Sequence, residues 1–143
     1  MEMIIRNARI DDSAAIAEIS KSDLGYDCTA EFVCNKLENL DNSREAVFVA
    51  AYGDDILGFV HVEQYNTLYS ETLANILGIA VKAEWRRQGV GSYLINAAED
   101  WAADICAAGV RLNSGASRLG AHVFYRARGY NSEKQQIRFI KSF

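Results

Sequence analysis

The sequence predicts an α/β (α+β) fold, with a mixed, largely antiparallel central sheet and helices on both faces. Three observations lead there. Apolar runs of strand length occupy 3–10, 45–65 and 72–82. Apolar residues at helical spacing fill the stretches near 12–24, 29–40, 90–107 and 117–128. In chain order these elements, with short strands near 110–114 and at the C-terminus, read β-α-α-β-β-β-α-β-α-β, a sequence of elements that one sheet covered by helices accommodates. A chain of 143 residues suits one domain spanning 1–143.

Each element has a local cause. MIIRNARI, 3–10, is the first strand. Asp11 and Asp12 are placed to cap a helix reaching Leu24, with Ala15, Ile16 and Ile19 inward. Thr29 is placed to cap a second helix that buries Val33, Leu37 and Leu40. EAVFVAAYGDDILGFVHVEQY, 45–65, is a hairpin turning at Gly53-Asp54-Asp55. TLANILGIAVK, 72–82, is nearly all apolar and therefore a central strand. From Val90 to about Ala107, Leu94, Ala98, Trp101 and Ile105 share one helix face, and Asn96, Glu99, Asp100 and Asp104 lie on the polar side. Gly109 is the expected helix stop. VRLNS, 110–114, is a short strand, 117–128 a helix ending at Gly129, and QQIRFIKSF a closing strand.

Composition narrows the class. Half the residues are apolar, which argues against disorder. No apolar run approaches membrane-spanning length, and MEMIIRNARIDDS lacks a secretion signal, so a cytoplasmic protein without membrane partners is expected. Cys28, Cys34 and Cys106 are odd in number and lack metal-ligand spacing, which fits reduced thiols. With only His61 and His122 besides, no metal site is expected. Residues 22–71 carry ten acids against Lys36 and Arg44, a net charge of −8. Residues 82–143 carry ten bases against five acids, a net charge of +5. The split suggests an anionic ligand on the later half, and the acidic half disfavours nucleic acid.

EWRRQGVGSYL, 84–94, concentrates the chemistry. It joins an apolar strand to a helix through two arginines and two glycines. The first helical turn leaves backbone N–H groups without helical partners, and with the helix dipole these form an anion site. Glycine lets a phosphate approach without a Cβ in the way. The layout suits a diphosphate. A nucleoside-triphosphate loop would want Lys and then Ser or Thr after its last glycine, whereas Ser92-Tyr93 follows Gly91. A dinucleotide fold would want three glycines after an N-terminal strand.

Arg86-x-x-Gly89-x-Gly91 after a strand ending IAV, followed by Ala121-His122-x-Phe124-Tyr125-x-x-x-Gly129-Tyr130, resembles the Gcn5-related N-acetyltransferase (GNAT) superfamily over essentially the whole chain. The resemblance implies acetyl-CoA, or another acyl-CoA, as co-substrate and acetyl transfer to a primary amine. It implies a pyrophosphate on the amides of Arg87, Gln88, Gly89, Val90, Gly91 and Ser92, with Arg86 and Arg87 as counter-charge. The pantetheine arm would pair with Ile79, Ala80 and Val81, where the strand splays from its neighbour at 110–114, and an amide near Ile79–Ala80 would hold the oxyanion. Asn113 and Arg118 fall at cofactor-side positions, although Arg118 stands where an asparagine is common and could equally cap its helix. Tyr125 is the expected general acid, with packing of its helix the alternative role. Trp85, Trp101 and His122 have structural roles in this reading.

A general base is missing from the positions that relatives use, near Leu77–Gly78 and near Asn113. His61, Glu63, Glu71 or a water chain are the substitutes. The expected acceptor is a cationic small molecule, aminoglycoside-like or polyamine-like, held by 20–45 and 61–71. The alternatives are a protein N-terminus or lysine, a free amino acid, or a non-catalytic acyl-CoA-binding module. A homodimer is compatible with the sequence.

Overall fold

Five strands pair in the order β1-β2-β3-β4-β5. They are β1 (Met3–Asn7), β2 (Glu45–Tyr52), β3 (Asp55–Tyr65), β4 (Leu73–Val81) and β5 (Val110–Leu112). The first four run antiparallel and β5 is parallel to β4. The helices are α1 (Ser13–Ile19), α2 (Ala30–Glu38), α3 (Val90–Asp104) and α4 (Leu119–Ala127). The structure, a computed structural model, describes residues 2–132 and 134–143. The expected class of mixed, mainly antiparallel sheet with helices is present. The chain divides into two units, one ending at Leu112 and one running Asn113–Phe143.

In the first unit, α1 and α2 cover one sheet face, where Ile16, Ile19 and Val33 meet Val47, Val49, Phe59 and Ala80. Thr29 caps α2 as expected, its hydroxyl accepting from the Phe32 amide at 3.0 Å. Asp12 does not cap α1 in the expected way. Its carboxylate accepts from both Arg6 guanidinium nitrogens, at 2.8 and 3.0 Å, and from the Arg9 amide at 2.7 Å. The helix begun at Ser13 widens into a looser helical turn, Ser20–Leu24, and stops at left-handed Gly25.

On the opposite face, α3 buries Leu94, Ile95 and Ala98. Gly58 permits the approach. A Cβ there would lie 2.6 Å from the Ala80 carbonyl oxygen and 3.2 Å from Leu94 Cδ1. The carbonyl belongs to a paired strand and cannot move aside. Gly58→Ala therefore lowers stability by about 1–3 kcal/mol through overpacking. Urea unfolding checks this, and an unchanged midpoint would refute it.

Two expectations are corrected. The α3 stop is Cys106, left-handed at φ 59°, and not Gly109. Its amide donates to Ala103 O and the Ala107 amide to Ala102 O, which satisfies the last carbonyls three residues before the glycine. β4 is flanked on both sides but is not buried throughout. Its pairing with β5 ends at Ile76–Leu112, and Leu77, just beyond, is 51% exposed.

In the second unit, α4 ends at Gly129, with φ 89°. Phe124 and Tyr130 set their rings edge-on to Tyr125, with centroids 5.4 and 6.0 Å away. The expected closing strand is not formed. Residues 134–143 have no regular structure, and Ile137, Phe139 and Phe143 are exposed. Apolar alternation makes a strand only where a sheet edge receives its N–H and C=O groups.

Candidate active site

The site begins where β4 parts from β5. Among the described residues, β4 runs on from Leu77 to Val81 with no strand partner on its β5 side. Ile79, Ala80 and Val81 thus keep β3 on one edge, while among the described residues the other edge has no strand partner.

Leu77 is also the site of a register shift. His61 pairs with Gly78 and Val62 with Ile76, so Leu77 is one residue extra. Such a bulge re-aims backbone groups next to it. Gly78 leaves room: a Cβ built on it meets nothing within 4 Å.

After Val81 the chain makes a short 3-10 turn, Ala83–Trp85, and Trp85 sets its ring tilted against Tyr52, with centroids 5.7 Å apart. Lys82 Nζ is anchored on Asp55 at 2.5 Å. Arg86 is extended, while Arg87 and Gly89 are left-handed, with φ 60° and 87°. Successive amides in such a turn form an anion-binding concavity. A left-handed conformation is uncommon for an arginine, and strain of this kind concentrates at ligand sites. Arg86, Arg87, Gln88 and Gly89 are exposed, while Val90 is buried and pins the start of α3. Gly89 is the N-cap and supplies no side-chain oxygen, and the first backbone bond back to it comes from the Tyr93 amide, at 3.1 Å. The amides of Val90, Gly91 and Ser92 thus open the helix without a side-chain cap.

One expected partner of this cradle is engaged elsewhere. The Arg86 guanidinium pairs with Asp23, in the turn after α1. Its charge is shared with a carboxylate from the acidic half, so among the described residues Arg87 is the arginine of the two with no such ion pair. Asn113, Arg118 and Tyr125 belong to the second unit. Arg118 is the N-cap of α4 but makes no side-chain cap bond. His122 Nε2 donates to the Gly115 carbonyl at 3.0 Å, which fits its structural role.

A row of polar groups on the α1/α2 face of the sheet was only partly foreseen. Glu45 Oε1 lies 2.7 Å from His61 Nε2. Asn75 donates to Glu63 at 2.8 Å and accepts from Arg111 at 2.7 Å, and Arg111 stacks over Tyr65 at 4.4 Å. His61 and Glu63 were candidates in the sequence, but Glu45, Asn75 and Arg111 were not. The signal was the hairpin itself, whose strands bring residues some 16 apart together, but the register had to be known. Among the described residues no group of three or more His, Cys, Asp or Glu could hold a metal, and no helix is long and apolar enough to cross a membrane. The three cysteines are free, and the Cys34 thiol is pushed up by its hydrogen bond to Glu38.

An open strand edge leads into a glycine turn at a helix start, and the profile of the Acetyltransferase (GNAT) family matches residues 13–130. The chain belongs to the GNAT acetyltransferase family. It is 32% identical over 95 residues to an uncharacterised N-acetyltransferase of Chlorobaculum tepidum, covering 66% of this chain but 57% of that protein. It is 28% identical over 141 residues to aminoglycoside N(6')-acetyltransferase type 1 of Stenotrophomonas maltophilia, covering 94% of this chain and 90% of that one. Among solved structures, AAC(6')-Iy in complex with a bisubstrate analogue, CoA-S-monomethyl-acetylneamine, superposes with a TM-score of 0.84 at 18% identity, covering all of both chains.

Proposed function

We propose that residues 1–143 form a single N-acetyltransferase domain that transfers an acetyl group from acetyl-CoA to a primary amine of a cationic small molecule, aminoglycoside-like or polyamine-like. The observation that carries this is the open β4 edge at Ile79–Val81 running directly into the left-handed turn that starts α3. The residues present fit the co-substrate. Uncapped amides from Arg87 to Ser92, the exposed Arg87 and the side-chain-free Gly89 and Gly91 suit a pyrophosphate. The β4 edge suits the amide-bearing pantetheine arm. When bound, acetyl-CoA supplies an activated thioester carbonyl. The amide near Ile79–Ala80 would donate to the oxygen that gains charge there. Tyr125 is proposed to protonate the leaving sulfur, and Asn113 and Arg118 to contact the cofactor.

The acceptor class is supported by charge and by relatives. A primary amine is cationic until it reacts, and residues 22–71 carry a net charge of −8. Glu45 and Glu63 stand on the face that adjoins the open space over Gly78. The Stenotrophomonas relative is named for an aminoglycoside substrate. Attraction between exposed charges is screened over about 8 Å at physiological salt. The expected result is a kcat/KM that is highest for polycationic amines and falls as salt rises. Thiol release with spermidine, neamine, a lysine peptide and free amino acids at low and high salt checks it. A neutral or acidic best acceptor, or no salt dependence, would sink the cationic-acceptor reading.

A further inference from the structure

The β2–β3 hairpin carries a pair whose chemistry the cofactor cradle does not use. Glu45 opens β2, His61 sits in the middle of β3, and their side chains are 27% and 31% exposed. Both are therefore held in place yet reachable from solvent. The pair exists because of a register shift between Ala50 and Ala51, which makes Leu57 one residue extra. The shift sets Glu45 opposite Glu63, on the same face as His61. On its other side His61 faces Gly78 across β3–β4, beside the Leu77 bulge, and the space over Gly78 is empty to 4 Å. The imidazole also lines a cavity of about 90 Å³ with Ile16, Val33, Leu37 and Lys36.

From this juxtaposition we infer that His61 is the proton acceptor for the substrate amine and Glu45 its positioning residue. The inference rests on the acetyl-transfer reading above. An ionised Glu45 only accepts hydrogen bonds, so it holds the proton on Nε2 and leaves Nδ1 with the lone pair. The substrate ammonium gives one proton to Nδ1. The freed nitrogen lone pair then forms the C–N bond at the thioester carbonyl, and the C–S bond breaks with its electrons going to sulfur. The second nitrogen proton ends on that sulfur, and His61 returns its proton to solvent. The products are an acetamide, a free thiol and one proton. This supplies the base that is missing from the usual positions. Glu63 is less suited, because it accepts from Asn75, which is itself tied to Arg111. The charged groups around the imidazole are Glu45 from β2, Glu63 from β3 and Lys36 from α2, with Arg111 of β5 held one residue further through Asn75.

The test uses spermidine and neamine as acceptors with H61Q, E45Q and H61A, each checked for folding by circular dichroism. H61Q should lose about 100-fold in kcat at neutral pH, while the KM for acetyl-CoA stays within about twofold, since the cofactor cradle is untouched. The wild type should lose rate in acid, and H61Q should lack that limb. Added imidazole should restore part of the H61A rate. Nitrogen-15 imidazole spectra should show the Nε2–H tautomer in the wild type and its loss in E45Q. An H61Q kcat within threefold of wild type with the same pH profile overturns the inference and leaves the acetyl-transfer reading standing. If the wild type acetylates no amine and does not bind acetyl-CoA, that reading falls first. The spectra still decide the pair, because an Nδ1–H tautomer in the wild type overturns it in either case.

Discussion

Gly91→Asp leaves the protein folded and at least as stable as the parent, and lowers its affinity for acetyl-CoA by about 100-fold or more. The two effects have opposite signs because they act on different charges. Gly91 is the second residue of α3. Glycine in a helix costs about 1 kcal/mol against better helix formers. A carboxylate in the first turn of a helix gains about 0.3–1 kcal/mol from the dipole. Both terms favour the folded variant. The same carboxylate sits where the proposed pyrophosphate lies, and repulsion between unit charges about 4 Å apart is worth roughly 4 kcal/mol at an effective dielectric of 20. Each 1.4 kcal/mol is about tenfold in affinity, so even half of that repulsion exceeds tenfold before the lost space is counted. Calorimetry with acetyl-CoA and a thermal melt on the same sample measure both. A variant that melts as expected but binds within threefold of wild type would remove the pyrophosphate from this turn.

Asp12→Ala destabilises the fold by about 3 kcal/mol, the low end of the cost of stripping one partner from a buried ion pair, because the Arg6 side chain is 20% exposed and can be hydrated. Asp12 is 5% exposed and receives three hydrogen bonds, two from Arg6 and one from the Arg9 amide. These bonds tie β1 to the entry of α1, and removing the carboxylate that accepts them leaves the Arg6 guanidinium without its ion-pair partner. Burial pushes the Asp12 carboxyl up, but the hydrogen bonds and charge of Arg6 and the Arg9 amide outweigh it and hold the carboxyl below its ordinary value. A depressed folded-state pKa stabilises the protein above the unfolded value, near 3.9, and that contribution is lost as pH falls through the folded value. Urea midpoints between pH 7 and pH 2 should fall less steeply in Asp12→Asn than in wild type. Parallel curves would mean that Asp12 does not carry the acid sensitivity.

Much of the fold was legible because its causes are local. The Gly53-Asp54 turn, the Thr29 cap and the apolar stripe Leu94–Ala98 are decided within a few residues of chain, and the structure has each where the sequence led us to expect it. The glycine turn was legible for the same reason, since a left-handed Gly89 at a helix start needs no distant partner. Errors arose where two local signals competed or where a partner was needed. Gly109 looked like the α3 stop, but Cys106 takes the left-handed position first and satisfies the last carbonyls earlier. The C-terminal apolar alternation pairs with no strand among the described residues, and without that pairing it forms none.

By itself the sequence determined the order of elements as far as α4, the apolar faces and the glycine turn that starts α3, because periodicity, caps and glycine conformation act at short range. The tertiary structure decided which charges meet. Without a bulge, a hairpin with Tyr52 opposite Asp55 would set Glu45 opposite Val62, facing away from His61. One extra residue, Leu57, reverses that face and makes the Glu45–His61 pair, because side chains alternate sides with a period of two. Arg86 likewise turns to Asp23, a partner 63 residues away that no local pattern specifies.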